Sequence, residues 1–196
     1  MKILESIAAF FAFLASLVTG VIFPGQSKEA VSNPFAQVKA ASIYLSSETS
    51  FPTVGDEFPI DINLNTDGVN ISAAAMRIVY KYISVQPIIP IDADSEKDGV
   101  QADINVSLLD NGWVFPVNEV VHDKDLRLIT IDLAAVNLNP EGYSASDGVK
   151  LATIDTIVAQ LPPKFTFNFD KNQTKIISKE GDELKLQLKS GEFRVR

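Results

Sequence analysis

The chain has no cysteine among its 196 residues. Disulfide staples, thiolate metal ligands and a cysteine nucleophile are therefore excluded. Its single histidine, His122, cannot supply a histidine pair for a metal, and any Ser-His-Asp triad would have to use it. No Gly-x-Ser-x-Gly elbow occurs to seat an activated serine, which makes an exposed loop histidine the better reading of His122. Positive charge is in deficit, with 17 Lys and Arg against 25 Asp and Glu and a net charge of -8. That balance argues against nucleic acid, whose phosphates need a cationic footprint. Tryptophan is also scarce, Trp113 being the only one. A binder of flat polysaccharide surfaces would instead present a row of exposed aromatic rings.

What is present is alternation. Phe58, Ile60, Ile62 and Leu64 alternate with Glu57, Pro59, Asp61, Asn63 and Asn65. Side chains of a strand point to opposite faces in turn, so this stretch predicts a strand with one buried face. Gly55-Asp56 and Thr66-Asp67-Gly68 supply the flanking turns. Pro59 has no N–H for a ladder, which predicts an edge strand or a bulge at that point.

Ile7 to Phe23 is an uncharged apolar run with Lys2 the only basic side chain before it. Its length falls between a signal-peptide core and a membrane span, and it predicts export, with the segment either cleaved or retained as an anchor. Residues 1–23 are thus read as signal peptide or membrane anchor, 24–41 as a small, polar, proline-bearing linker, and 42–196 as the folded domain.

Within that domain the strand pattern repeats without an amphipathic helix. Asn70 to Tyr82 predicts a strand with Met76, Ile78 and Tyr80 inward and Ala75, Arg77 and Val79 outward. Ile104, Val106 and Leu108 alternate, as do Trp113, Phe115 and Val117, and Asn111-Gly112 between them predicts a type I′ hairpin. His122 to Asp125 reads as a turn before a strand from Leu126 to Val136. Leu151 to Val158, Phe165 to Phe169, Lys175 to Ile177, Leu184 to Leu188 and Phe193 to Val195 are strand-like, with Gly, Pro and Asp turns between them. The class is all-β: an antiparallel jelly-roll or immunoglobulin-like β-sandwich of about nine strands, preceded by an N-terminal hydrophobic helix.

No residue set makes a catalytic or metal centre, and no cofactor is implied. Asp94 to Gly99 partly matches a calcium loop, but Asn105 stands where a bidentate glutamate is needed, so a solvated acidic loop is the preferred reading. Three Asn-x-Ser/Thr patterns, at Asn70, Asn105 and Asn172, are glycosylation sequons by form alone. Scattered carboxylates in turns read as solubilising, and core packing is preferred for Trp113.

Four short stretches together resemble bacterial cohesin domains. They are Val54-Gly55-Asp56-Glu57-Phe58, Ala74-Ala75-Met76-Arg77-Ile78-Val79-Tyr80, Gly148-Val149-Lys150-Leu151-Ala152-Thr153-Ile154 and Gly191-Glu192-Phe193-Arg194-Val195. The resemblance spans residues 42–196. It implies a non-catalytic module at the cell surface or outside the cell that binds a dockerin-type protein. In the family the dockerin docks on the sheet face holding the third and sixth strands. Carried across, that face holds Arg77, Val79, Leu128, Thr130 and Asp132. Substitutions of outward residues such as Arg77→Ala would then change stability by about 0.5 kcal/mol or less. The alternative is a carbohydrate-binding module acting on polysaccharide, which an exposed Trp113 would favour. Membrane contact would come only through the N-terminal segment.

Overall fold

The computed structural model describes residues 40–49, 52–83, 86–91, 99–160 and 164–194. The apolar run Ile7 to Phe23, the linker up to residue 39 and the acidic loop from Asp92 to Asp98 lie outside the described residues, while Ala41, assigned to the linker from sequence, already belongs to the first strand. The strands are β1 (Ala41–Ser46), β2 (Ile60–Asn65), β3 (Ile71–Lys81), β4 (Ile88–Pro90), β5 (Asp103–Ile104), β6 (Trp113–Asp123) and β7 (Leu128–Asn137). They continue as β8 (Val149–Ile154), β9 (Thr156–Val158), β10 (Lys164–Phe169), β11 (Lys175–Ser178), β12 (Leu186–Lys189) and β13 (Gly191–Arg194). One short helix, α1, covers Val106–Asp110.

Two sheets face each other. One has the order β12-β1-β2-β8-β5, the other β13-β10-β3-β7-β6 with β11 also on β3. Apart from the parallel pairing of β1 with β12, the ladders are antiparallel. β12 and β13 run almost continuously, and the chain changes sheet at Ser190. Between the sheets lie Ile43, Ile60, Ile62, Leu64 and Leu151 from one side and Met76, Ile78, Tyr80, Ile129, Ile131 and Leu133 from the other. Phe58 meets Phe165 and Phe193 edge-on, with ring centroids 5.3 and 5.2 Å apart. Burying these aliphatic and aromatic side chains at about 1.5–3 kcal/mol each is the main force holding the sandwich.

The alternation of β2 and β3 is as the sequence predicts, and Met76, Ile78 and Tyr80 are buried. Several local expectations are corrected. Pro59 does not mark an edge: β2 lies between β1 and β8, and its ladder begins at Ile60, just past the proline. The predicted Asn111-Gly112 hairpin is instead the end of α1. Asn105 caps the start of that helix, its Oδ1 accepting from the Ser107 N–H at 3.2 Å. Asn111 has φ -94°, and only Gly112 takes a positive φ, +80°, as residues just past a helix end do. The cap at Asn105 diverts the apparent alternation of Ile104, Val106 and Leu108, so Leu108 is buried while Val106 is exposed. Paired positive φ values occur at Asp67 and Gly68, the corner between β2 and β3.

Trp113, Phe115 and Val117 do not share a face. A bulge between Val114 and Val117 shifts the register at Pro116, turning Trp113 inward and Val117 outward. His122 is not in a turn but near the end of β6, and the turn follows at Lys124–Arg127. The predicted strand from Leu151 to Val158 breaks at Asp155, so that β9 leaves the sheet to pair with β4.

The long edge strand β6 is covered. The Val120 N–H donates to the Val100 carbonyl at 2.8 Å, and the Asn118 amide exchanges two hydrogen bonds with the Ala102 backbone at 2.8 and 2.9 Å. This strap blocks further strand addition along the middle of β6.

Candidate functional site

The outer face of the six-stranded sheet is a grid set by register. Residues directly opposite on neighbouring strands share a face, so each row can be read from the pairing. Across β3, β7 and β6 the rows are Lys81-Leu128-Asp123, Val79-Thr130-Val121, Arg77-Asp132-Glu119, Ala75-Ala134-Val117 and Ala73-Val136-Val114. All five residues anticipated for partner binding, Arg77, Val79, Leu128, Thr130 and Asp132, therefore lie together on this face. Val114 in the last row, 41% exposed, and Leu138 beyond it, 66% exposed, extend the apolar surface toward one end.

Arg77 and Asp132 are not free. The guanidinium donates from Nε to Asp132 Oδ1 at 2.7 Å and from Nη2 to Oδ2 at 2.8 Å. Asp132 is only 2% exposed, so this is a buried, two-pronged ion pair instead of a charged rim. The hydrogen bond to Asp132 raises the Arg77 pKa, against the opposing effect of burial. The expectation that Arg77→Ala would be nearly silent is thereby overturned, because truncation strands a buried carboxylate. The Val79 and Thr130 side chains are half-buried, as on a flat sheet. Sequence reasoning missed Val117, Val121 and Glu119 because the bulge at Pro116 sets which β6 residues face outward.

Other chemistry is sparse. Trp113 is 1% exposed, edge-on to Tyr143 at 5.5 Å, and its indole N–H has no hydrogen-bond partner among the described residues. Among the described residues no aromatic side chain counts as an exposed large hydrophobic. His122 Nε2 lies 2.7 Å from the Tyr82 hydroxyl, and burial together with Lys124 lowers its pKa against the opposing pull of Asp123. No serine hydroxyl is bonded to it in the described residues. On the opposite sheet Asp61 accepts from the Thr153 hydroxyl at 2.7 Å and meets Lys150 Nζ at 3.3 Å. Burial, then Asp103, Glu57 and Asp61, push the nearby Asp155 carboxyl up. Among the described residues no three His, Asp or Glu side chains are placed to hold a metal ion.

No family model and no curated protein matches the sequence. Solved structures do match. A type II cohesin from Bacteroides cellulosolvens superposes with a TM-score of 0.59 at 15% identity, covering 79% of this chain and 99% of that one. A type II cohesin domain from the cellulosome of Acetivibrio cellulolyticus gives 0.58 at 12% identity, over 79% and 95%. A chain of a type I cohesin–dockerin complex from Clostridium thermocellum gives 0.53 at 12% identity, over 80% and 99%. Identity at this level speaks for architecture, and the domain has the cohesin fold.

Proposed function

We propose that this domain is a non-catalytic binding module that docks a dockerin-type protein on the outer face of β3, β7 and β6, and that it works outside the cell. One observation carries the reading: a flat, largely apolar sheet face whose central ion pair is internally neutralised. Val79, Thr130, Val121, Val117 and Val136 surround Arg77–Asp132, an apolar centre of the kind found in protein interfaces. Solved relatives of the fold include cohesins in complex with dockerins. The apolar run Ile7 to Phe23 behind Lys2 supports export. Burial of Trp113 removes the aromatic platform that a polysaccharide binder would use.

The test is binding of the full chain to a panel of recombinant dockerin modules, with insoluble polysaccharides as a parallel arm. Val79→Asp and Thr130→Arg should abolish capture of any dockerin bound by the wild type while leaving the melting temperature close to its original value. Retention on polysaccharide alone would replace the proposal with the carbohydrate reading.

A further inference from the structure

The middle row of the face is one cation short. Arg77, Asp132 and Glu119 stand opposite one another on three adjacent strands. The guanidinium is committed to Asp132 through both Nε and Nη2. Glu119 is half-buried directly across from Asp132 and makes no hydrogen bond or ion pair with the described residues. Like charges placed directly opposite on antiparallel strands disfavour the fold. The neighbours along the Glu119 strand on that face are Val117 and Val121, which offer the carboxylate nothing.

Elsewhere on the face other carboxylates have a lysine partner. Lys164 meets Glu192 at 3.2 Å and Lys175 meets Glu183 at 2.9 Å. Lys81 and Asp123 occupy the two ends of a single row, opposite in sign, and Asp123 also caps the Leu126 N–H at 2.8 Å. Across β3, β7 and β6, Glu119 is the central carboxylate with no cation beside it among the described residues.

Resting on the docking reading above, we propose that Glu119 determines partner choice: it receives a lysine or arginine that the dockerin-type partner presents amid apolar side chains. A cation entering there finds the Glu119 carboxylate, while both oxygens of Asp132 stay bound to Arg77, within a ring of valines that excludes water on docking. In such a desolvated site a charge pair discriminates strongly, because a partner bearing a neutral or acidic side chain would bury Glu119 unpaired.

The experiment uses the full chain and whichever dockerin module of the panel it binds. Glu119→Gln should weaken binding by about tenfold or more, mainly through faster dissociation, and should leave the melting temperature unchanged or raised. Glu119→Lys should abolish binding, and reversing the contacting lysine or arginine of the dockerin to glutamate should restore it to that variant alone. Equal affinity of wild type and Glu119→Gln, with Val79→Asp still abolishing binding, would overturn this inference and leave the docking face standing. Failure of every dockerin to bind would overturn both.

Discussion

Arg77 and Asp132 lie directly opposite each other on β3 and β7, joined by two hydrogen bonds of 2.7 and 2.8 Å, with the carboxylate out of solvent. The pair therefore ties the two central strands together on the outer face of the sheet. Removing one partner strands the other. Arg77→Ala and Asp132→Ala should each cost about 3 kcal/mol, measurable by urea denaturation. The double change Arg77→Met, Asp132→Leu should recover most of that loss, because burying two apolar groups avoids the desolvation cost of a pair. Single variants as stable as the wild type would show that the pair does not bear on stability.

Neighbouring positions on β3 should separate core from face. Ile78 is fully buried, whereas Val79 is half-exposed opposite Thr130. Ile78→Ala should cost roughly 2–5 kcal/mol through lost burial and a cavity. Val79→Ala should cost about 0.5 kcal/mol or less. Comparable midpoints for the two variants would mean that the register assigned to β3 is wrong.

That register was legible in the sequence because strand period is a local property. Phe58 to Leu64 and Met76 to Tyr80 alternate cleanly, and each alternation maps onto a buried face. The cohesin resemblance groups Arg77, Val79, Leu128, Thr130 and Asp132, with strand period setting which side chains face outward, and the pairing of β3 with β7 puts them on one face. What was not legible depends on partners distant in sequence. Asn111-Gly112 has the composition of a tight hairpin, yet Asn105, whose side-chain amide donates to the distant Lys150 carbonyl at 2.8 Å, starts a helical turn first and leaves Gly112 as its terminator. Pro59 suggests an edge, but only the ladder start at Ile60 shows that the proline is already outside the sheet. The Arg77–Asp132 pair joins residues 55 apart, a separation over which no local pattern specifies contact.

Gly191 marks the point where the chain crosses from one sheet to the other. A Cβ there would sit 2.6 Å from the Phe193 ring and 2.9 Å from Leu45 Cβ, so the close approach itself requires glycine. Gly191→Ala should cost about 1–3 kcal/mol, as overpacking does, and should loosen β13 from β10. Amide hydrogen exchange at Phe165 and Phe167 would report it, since both pair with β13. Unchanged protection in a stably folded variant would show that the corner has room to spare.

The last prediction concerns pH. His122 is held against Tyr82, with its Nε2 2.7 Å from the hydroxyl and the rings 5.8 Å apart. Its pKa is lowered in the folded protein, first by burial and then by Lys124, with Asp123 acting the other way. In the unfolded chain the imidazole titrates near about 6.5. Between the folded and unfolded values the unfolded chain binds the extra proton, so stability must rise with pH. The contribution is complete above the unfolded value and is lost as pH falls through the folded one. Because His122 is the only histidine, the part of the slope just below pH ~6.5 that disappears on replacing it belongs to one imidazole, whereas the raised Asp155 carboxyl contributes with the opposite sign in both proteins. His122→Gln should flatten that slope, and any loss from the missing Tyr82 contact should appear as a constant offset that persists above about pH 8, where the imidazole is neutral in both states. Tyr82→Phe should reduce stability at all pH values by about 1 kcal/mol, the worth of one hydrogen bond. Urea midpoints measured across this range, with the His122 ring protons followed by NMR, give both quantities. A midpoint that rises as the pH is lowered would reverse the sign of the coupling and refute the placement of His122 in a partly desolvated pocket.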